Sequence, residues 1–264
     1  MTQDPVNLPI RHHHIRAMIK SPAHYIAVRL GQAEDDPSYA MERGSGLHEM
    51  LAARVPVLAW EEGRPRRGKE YEAFAAANPE ALILSASDHA RAAAMYAAVL
   101  ADPIAAPLCS GGVAEETIQW AIPGRGLLGR TTPDRLIVEG TKATIVEVKT
   151  ARTSDPDRFV WTGRRDYGYH TQAAWHAAGV LATHPHLTDV AVRIVVVESA
   201  APHVVTTIAV SSAMLDVAAA EIHAALDRIV GCRASGQWPG YIEGVWDWLP
   251  DEVDITGSDE PDDG

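Results

Sequence analysis

The sequence predicts an α/β chain with an antiparallel meander at its centre and helices around it. Three observations carry this. Short β-prone runs separated by glycine-containing turns fill 113–149. Two β-branched runs follow at 190–198 and 204–210. Helical periodicity marks the alanine-rich stretch 87–101 and the long segment after Ser211.

Each element follows from local chemistry. Residues 11–30 read as helix interrupted at Ser21-Pro22, since proline suits the first turn of a new helix. Arg43-Gly44-Ser45-Gly46 then leads into a short helix beginning at Leu47, and its glycines allow a close approach to another backbone. A basic loop with Arg64, Arg66, Arg67 and Lys69 comes next and is a candidate for phosphate contact. The helix over 87–101 stops at Asp102-Pro103. Residues 113–122 alternate as one strand, Pro123-Gly124-Arg125-Gly126 turns the chain, and 127–138 returns as the next strand. After a polar stretch at 150–157, Tyr169, Gln172, Ala173, His176 and Val180 share one helix face. Ser211 caps a last helix running to about Ser235, with Met214, Ala218, Ile222, Ala225 and Ile229 as its buried stripe. Trp238, Tyr241, Trp246 and Trp248 are expected to pack against the body.

With 264 residues, 47% of them hydrophobic, the chain can build one domain over 1–250 with N-terminal helical additions. Residues 251–264 hold seven acidic side chains and no basic one, the composition of a disordered, solubilising tail. Much of the net charge of −12 sits there, so the acidity does not by itself exclude a phosphate polymer as partner. Cys109 and Cys232 are the only cysteines, enough for one disulfide but too few for a four-cysteine zinc or iron-sulfur site. No apolar run has membrane-span length and no secretory pattern opens the chain, so a cytoplasmic, membrane-free protein is expected. His12, His13 and His14 are adjacent, point in different directions on a helix, and do not make a metal site by themselves.

The chemistry concentrates at one hairpin. Residues 135–138 and 143–146 are β-prone, and Glu139-Gly140-Thr141-Lys142 has turn composition. If Val138 pairs with Ala143, Leu136 faces Ile145 and Asp134 comes opposite Glu147. Directly opposed residues have Cβ atoms roughly 4.5–5.5 Å apart, close enough for two carboxylates to share a cation. Alternation puts Lys149 on the same face as Glu147. Two acids and a lysine so placed suit metal-dependent phosphodiester hydrolysis.

The order of these pieces resembles the PD-(D/E)XK nucleases, and within them the phage-type exonuclease VIII (RecE-like) group of 5′ to 3′ exonucleases. The likeness is carried by Ser21-Pro22-Ala23-His24-Tyr25, Gly44-Ser45-Gly46-Leu47-His48, Ala114-Glu115 with Trp120, Arg130 with Pro133-Asp134, Glu147-Val148-Lys149-Thr150, and Tyr167-Gly168-Tyr169-His170-Thr171-Gln172-Ala173-Ala174. It implies a restriction-endonuclease-like core, with a central mixed sheet carrying an antiparallel meander between helices. It also implies that His48, Asp134, Glu147 and the Val148 carbonyl hold Mg²⁺, with Mn²⁺ acceptable, and that Lys149 is the catalytic lysine beside Asp134 and Glu147. Glu115 matches a further acidic position, although a one-residue shift of register exchanges it with Glu116. Tyr169 and Gln172 match the DNA-side helix, with Arg130, Arg66 and Arg67 as further DNA contacts; His176 stands where a tyrosine is common. The implied activity is hydrolysis of linear double-stranded DNA from its ends, leaving 3′ overhangs for a single-strand annealing partner, by a ring-shaped homo-oligomer. Alternatives on the same fold are a RecB-like or structure-specific endonuclease and a non-catalytic module binding DNA ends or protein.

Overall fold

The computed structural model describes residues 8–32, 39–242 and 244, without the side chains of 39–45. Trp246, Trp248 and the acidic stretch 251–264 lie outside the described residues. In chain order the elements are α1 (His12–Lys20), α2 (Pro22–Arg29), α3 (Tyr39–Ala52), β1 (Val57–Trp60), α4 (Lys69–Ala77), β2 (Leu82–Ser85), α5 (Ala86–Ala101), α6 (Ala105–Ser110), β3 (Val113–Ala114), β4 (Ile118–Ile122), β5 (Leu127–Thr131), β6 (Arg135–Glu139), β7 (Lys142–Ala151), α7 (Pro156–Thr162), a π-helical turn (Gly163–Tyr167), α8 (Tyr169–Thr183), β8 (Asp189–Glu198), β9 (Val205–Val210) and α9 (Ser212–Ser235).

The central sheet has the order β3-β6-β7-β8-β9. It is mixed: β7 and β8 run parallel and the other neighbours antiparallel. Its middle strand, β7, is covered on both faces. Ala143 and Ile145 pack with α1, α8 and α9 through Ile15, Trp175, Val180 and Ile229. Val146 and Val148 face the other way, onto Leu47 and Leu51 of α3, Met95 and Val99 of α5, and Cys109. A strand buried on both faces reads as a near-continuous apolar run. Glu147 interrupts that run at 2% exposure.

The hairpin register is as the alternation predicts, with Leu136 opposite Ile145 and Val138 opposite Ala143. Ser21 caps α2 through a bond from the His24 amide, and Ser211 caps α9, whose buried residues Ala218, Ile222, Ala225 and Ile229 belong to the expected stripe. Trp238 stacks on the buried Tyr25 at 5.4 Å. No described helix is long and apolar enough to cross a membrane.

The two strands expected over 113–122 and 127–138 each divide. Glu115 adopts a φ of +48° and separates β3 from β4. Pro133, without an N–H to continue a ladder, lies between β5 and β6. β3 stays in the central sheet beside β6, whereas β4 and β5 form a separate hairpin. The meander across the site is therefore β3-β6-β7. The β4–β5 hairpin packs on α8 by setting Trp120 against Trp175, ring centroids 4.8 Å apart. The glycines before Leu47 lie within α3 rather than ahead of it; a Cβ on Gly46 would come within 2.8 Å of Leu84 and 2.9 Å of Ala92. At Gly46 the close neighbours are side chains, not the backbone that the sequence predicts.

Candidate active site

The site forms where β6 ends beside β7. Glu147 projects from β7 toward α8, and its Oε2 accepts from Lys149 Nζ at 2.8 Å and Gln172 Nε2 at 2.9 Å. Its Oε1 lies 3.0 Å from His176 Nε2 and 3.4 Å from the Asp134 backbone N–H. Asp134 leans the other way. Its Oδ2 accepts the Val148 N–H at 2.6 Å, and Oδ1 lies 3.2 Å from His48 Nδ1.

His48 reaches this point because Leu47 and Leu51, one helical turn apart, anchor α3 on the sheet face that also carries Val146 and Val148. Glu115 arrives through its left-handed backbone, a conformation that costs a non-glycine residue roughly 1–3 kcal/mol and is characteristic of functional sites. Its amide donates to the Asp134 carbonyl at 3.1 Å, and its carboxylate pairs with Arg54 at 2.8 Å. His48, Glu115 and Asp134 each offer a ligand atom within 4.8 Å of the others. Together with Val148 they line a small cavity between α3 and the sheet.

Nitrogen from one imidazole and oxygen from two carboxylates suit a hard or borderline divalent cation. The Val148 N–H points to the β6 edge, where it bonds Asp134. In an antiparallel ladder a residue's N–H and C=O face the same edge, so the Val148 carbonyl lies on the side of this cluster too.

Electrostatics reinforce the grouping. Burial pushes His48 toward its neutral form, but the Asp134 charge and hydrogen bond outweigh it and raise its pKa. Burial also opposes the Lys149 ammonium, yet Glu147 and Asp134 raise its pKa further. The Glu147 carboxyl, although burial works against its charge, is held below the usual carboxylate range by His176 and Lys149. The chain thus keeps charged groups in an interior position, which is stable only with partners of opposite sign.

The structure gathers Asp134, Glu147, Lys149, His48, Val148 and Glu115 in one place, while Glu116 is exposed. Glu147 itself turns to Lys149, Gln172 and His176, outside the three-residue cluster of His48, Glu115 and Asp134. Gln172 makes its bond to Glu147. The Tyr169 ring lies 5.3 Å from Lys149 Nζ. Arg130 is half-buried on β5, opposite Gln119. Arg66 donates to the Ile83 carbonyl at 3.3 Å and, with the exposed Arg67, belongs to the loop beside β1 and β2. Both cysteines are free. Sequence reasoning gave no role in the site to His176 or Arg54. For His176 the signal was present: it follows Gln172 by four residues on the same face of α8.

A family profile described as a PDDEXK-like domain of unknown function (DUF3799) matches residues 12–245. The fold is similar to that of a putative exonuclease from Eubacterium rectale, at a TM-score of 0.64 and 15% identity, covering 97% of this chain and 96% of that one. A second solved structure, SSO0001, aligns with 42% of this chain and 48% of its own at 13% identity and a TM-score of 0.25. Among curated proteins none matches. The mixed sheet between helices is thus that of a PDDEXK-like fold, and the chain belongs to the PDDEXK-like DUF3799 family.

Proposed function

We propose that this protein is a Mg²⁺-dependent exodeoxyribonuclease that hydrolyses linear double-stranded DNA from its ends, in the 5′ to 3′ direction. The observation that carries the reading is the junction of two sets of groups: Lys149 is bonded to Glu147 at 2.8 Å, and Glu147 lies 3.4 Å from the amide of Asp134, which belongs to the His48–Glu115–Asp134 cluster.

His48, Asp134, the Val148 carbonyl and Glu115 would hold the cation, with Glu147 at its border. A bound Mg²⁺ supplies charge relief on the phosphoryl oxygens and lowers the pKa of water at the site. The donor set accepts Mn²⁺ as well. Lys149 brings a fixed ammonium to the place where negative charge builds up on the phosphorus centre, and preorganised charge of this kind is worth about 10²–10³ in rate. Glu147 holds that ammonium in position, and Gln172 and His176 hold Glu147. Burial of these groups keeps bulk water from screening them.

Reaction at ends, 3′ overhangs, delivery to a strand-annealing partner and assembly into a ring around the duplex complete the proposal. The test compares linear duplex with covalently closed circles of the same sequence, in Mg²⁺ and in EDTA. Release of nucleotides from linear DNA alone, starting from a 5′ label, is the expected result. Rapid cutting of the circle would make the protein an endonuclease, and no metal-dependent release from either would leave it a binding module.

A further inference from the structure

Beside the lysine, the segment 155–169 builds a surface that the cleavage chemistry does not use. Phe159 and Tyr169 stack at 5.5 Å, and Tyr167 stacks on Tyr169 at 5.3 Å with the planes 14° apart. The innermost ring is therefore buried beneath Tyr169, Tyr169 lies 5.3 Å from Lys149 Nζ, and the outermost ring, Tyr167, is 49% exposed. On α7, Trp161 is 59% exposed, with the Arg165 guanidinium 3.9 Å over its ring.

The backbone is shaped to make this ladder. In a regular helix residues two apart point in different directions, yet the Tyr167 and Tyr169 rings lie nearly parallel, one over the other. A π-helical turn over Gly163–Tyr167 and a left-handed Gly168, φ +65°, realign them. A Cβ on Gly163 would sit 2.8 Å from the Tyr169 ring, so that glycine makes the seat for the stack. Arg16 of α1 donates to the Asp166 carbonyl at 2.9 Å and pins the turn in place. π-helical turns are rare and concentrate at functional sites. Two large aromatics left in water, Trp161 on α7 and Tyr167 on the turn that aligns its ring with Tyr169, call for a planar partner.

The segment carries exposed cations, Arg158, Arg164 and Arg165, equal in number to its acids, Asp155, Asp157 and Asp166. Arg158 and Arg164 are exposed, with no acidic partner among the described residues, in a protein whose net charge is −12. Planar rings interleaved with guanidinium groups are what a single-stranded nucleic acid recognises: bases stack on the rings and phosphates follow the cations. We propose that Tyr167 and Trp161 stack the unpaired bases of a nucleic-acid strand adjoining the phosphate held at Lys149. The inference rests on the nuclease reading for the position of that phosphate, but the binding itself can be measured without cleavage.

The test uses the full chain in EDTA, with a fluorescein-labelled oligothymidylate and an oligonucleotide of equal length made of abasic residues. The unaltered protein is expected to bind the thymidylate more tightly. The double variant Trp161→Ala/Tyr167→Ala should lose about tenfold in affinity for each ring removed and bind both oligonucleotides alike. Trp161→Phe/Tyr167→Phe, which keeps planar rings, should retain most of the preference. Equal binding of the two oligonucleotides by the unaltered protein, no binding of either, or an Ala variant that binds as before overturns the proposal. Hydrolysis of linear duplex in Mg²⁺ is scored separately. Base-dependent binding without hydrolysis would support the stacking surface and sink the nuclease reading, and hydrolysis with base-independent binding would sink the surface alone.

Discussion

His176 Nε2 lies 3.0 Å from Glu147 Oε1, and both side chains are almost sealed from solvent, at 4% and 3% exposure. On its other side the same ring is hydrogen-bonded to Thr131 at the end of β5. A carboxylate inside a sheet must be fixed by its neighbours, and here α8 and the β4–β5 hairpin supply the fixing through one imidazole. His176→Ala leaves Glu147 with Lys149 and Gln172 as side-chain partners. Groups that orient a metal-site residue typically contribute 10–100-fold to metal affinity or activity. A loss of about that size is expected in a Mg²⁺ titration of nucleotide release, with higher Mg²⁺ restoring part of it.

Lys149→Ala should abolish most hydrolysis, by about 10²–10³ or more, while leaving the far-UV circular dichroism unchanged. Because the ammonium also offsets the buried Glu147 charge, the variant should melt at a lower temperature. Lys149→Ala/Glu147→Gln removes both members of the pair and should recover part of that melting temperature without recovering activity. Full activity in Lys149→Ala would rule out the lysine's assigned role.

Glu115 and Glu116 can be told apart directly. Glu115 belongs to the cluster with His48 and Asp134, and Glu116 is exposed. Glu115→Gln should weaken Mg²⁺ or Mn²⁺ binding by calorimetry, with Glu116→Gln indistinguishable from the unaltered protein. The reverse pattern would move the acidic position by one residue.

Acid should destabilise the fold through α1. Burial, followed by the neighbouring histidine and arginine charges, lowers the pKa of His14 from 6.5 to about 3, and burial is likewise the main cause for His12, also lowered to about 3. A histidine whose folded pKa is depressed binds fewer protons folded than unfolded. Its contribution is present in full above pH 6.5 and is lost as the pH falls toward 3. His14→Asn keeps an acceptor near the Arg11 amide, which donates to Nδ1 at 2.9 Å, and does not titrate. Urea unfolding of the variant should therefore show a flatter fall in stability between pH 6.5 and pH 4 than the unaltered protein does. Parallel curves would contradict this assignment.

Gly129→Ala tests how the β4–β5 hairpin meets α8. Its Cβ would lie 2.5 Å from the Trp120 ring, which itself packs on Trp175 and against Gly179. Overpacking of this kind costs about 1–3 kcal/mol, so a melting temperature several degrees lower is expected.

The hairpin at the centre of the site was legible because two local signals agree: a turn composition at Glu139-Gly140-Thr141-Lys142 and a strict alternation that fixes which face Glu147 and Lys149 share. α9 was equally plain from its Ser211 cap and apolar stripe. The splitting of the two preceding strands was not, since Glu115 carries no composition signal for a left-handed backbone and Pro133 was read within a single strand. The short parallel pair β1–β2 depends on contacts across 20 or more residues, which periodicity does not record. α7 and the π-helical turn lie in a stretch whose proline and glycines suggest loop. The three-residue grouping of His48, Glu115 and Asp134 needs α3, β3 and β6 to converge, and only the tertiary structure provides that convergence.

The central claim is that a divalent cation sits where α3, β6 and β7 meet. Crystals grown with Mn²⁺ and measured for anomalous scattering test it most directly. The expected result is one strong peak within bonding distance of Asp134 and His48, absent in crystals of Asp134→Ala. A peak elsewhere, or none at saturating Mn²⁺, would contradict the account.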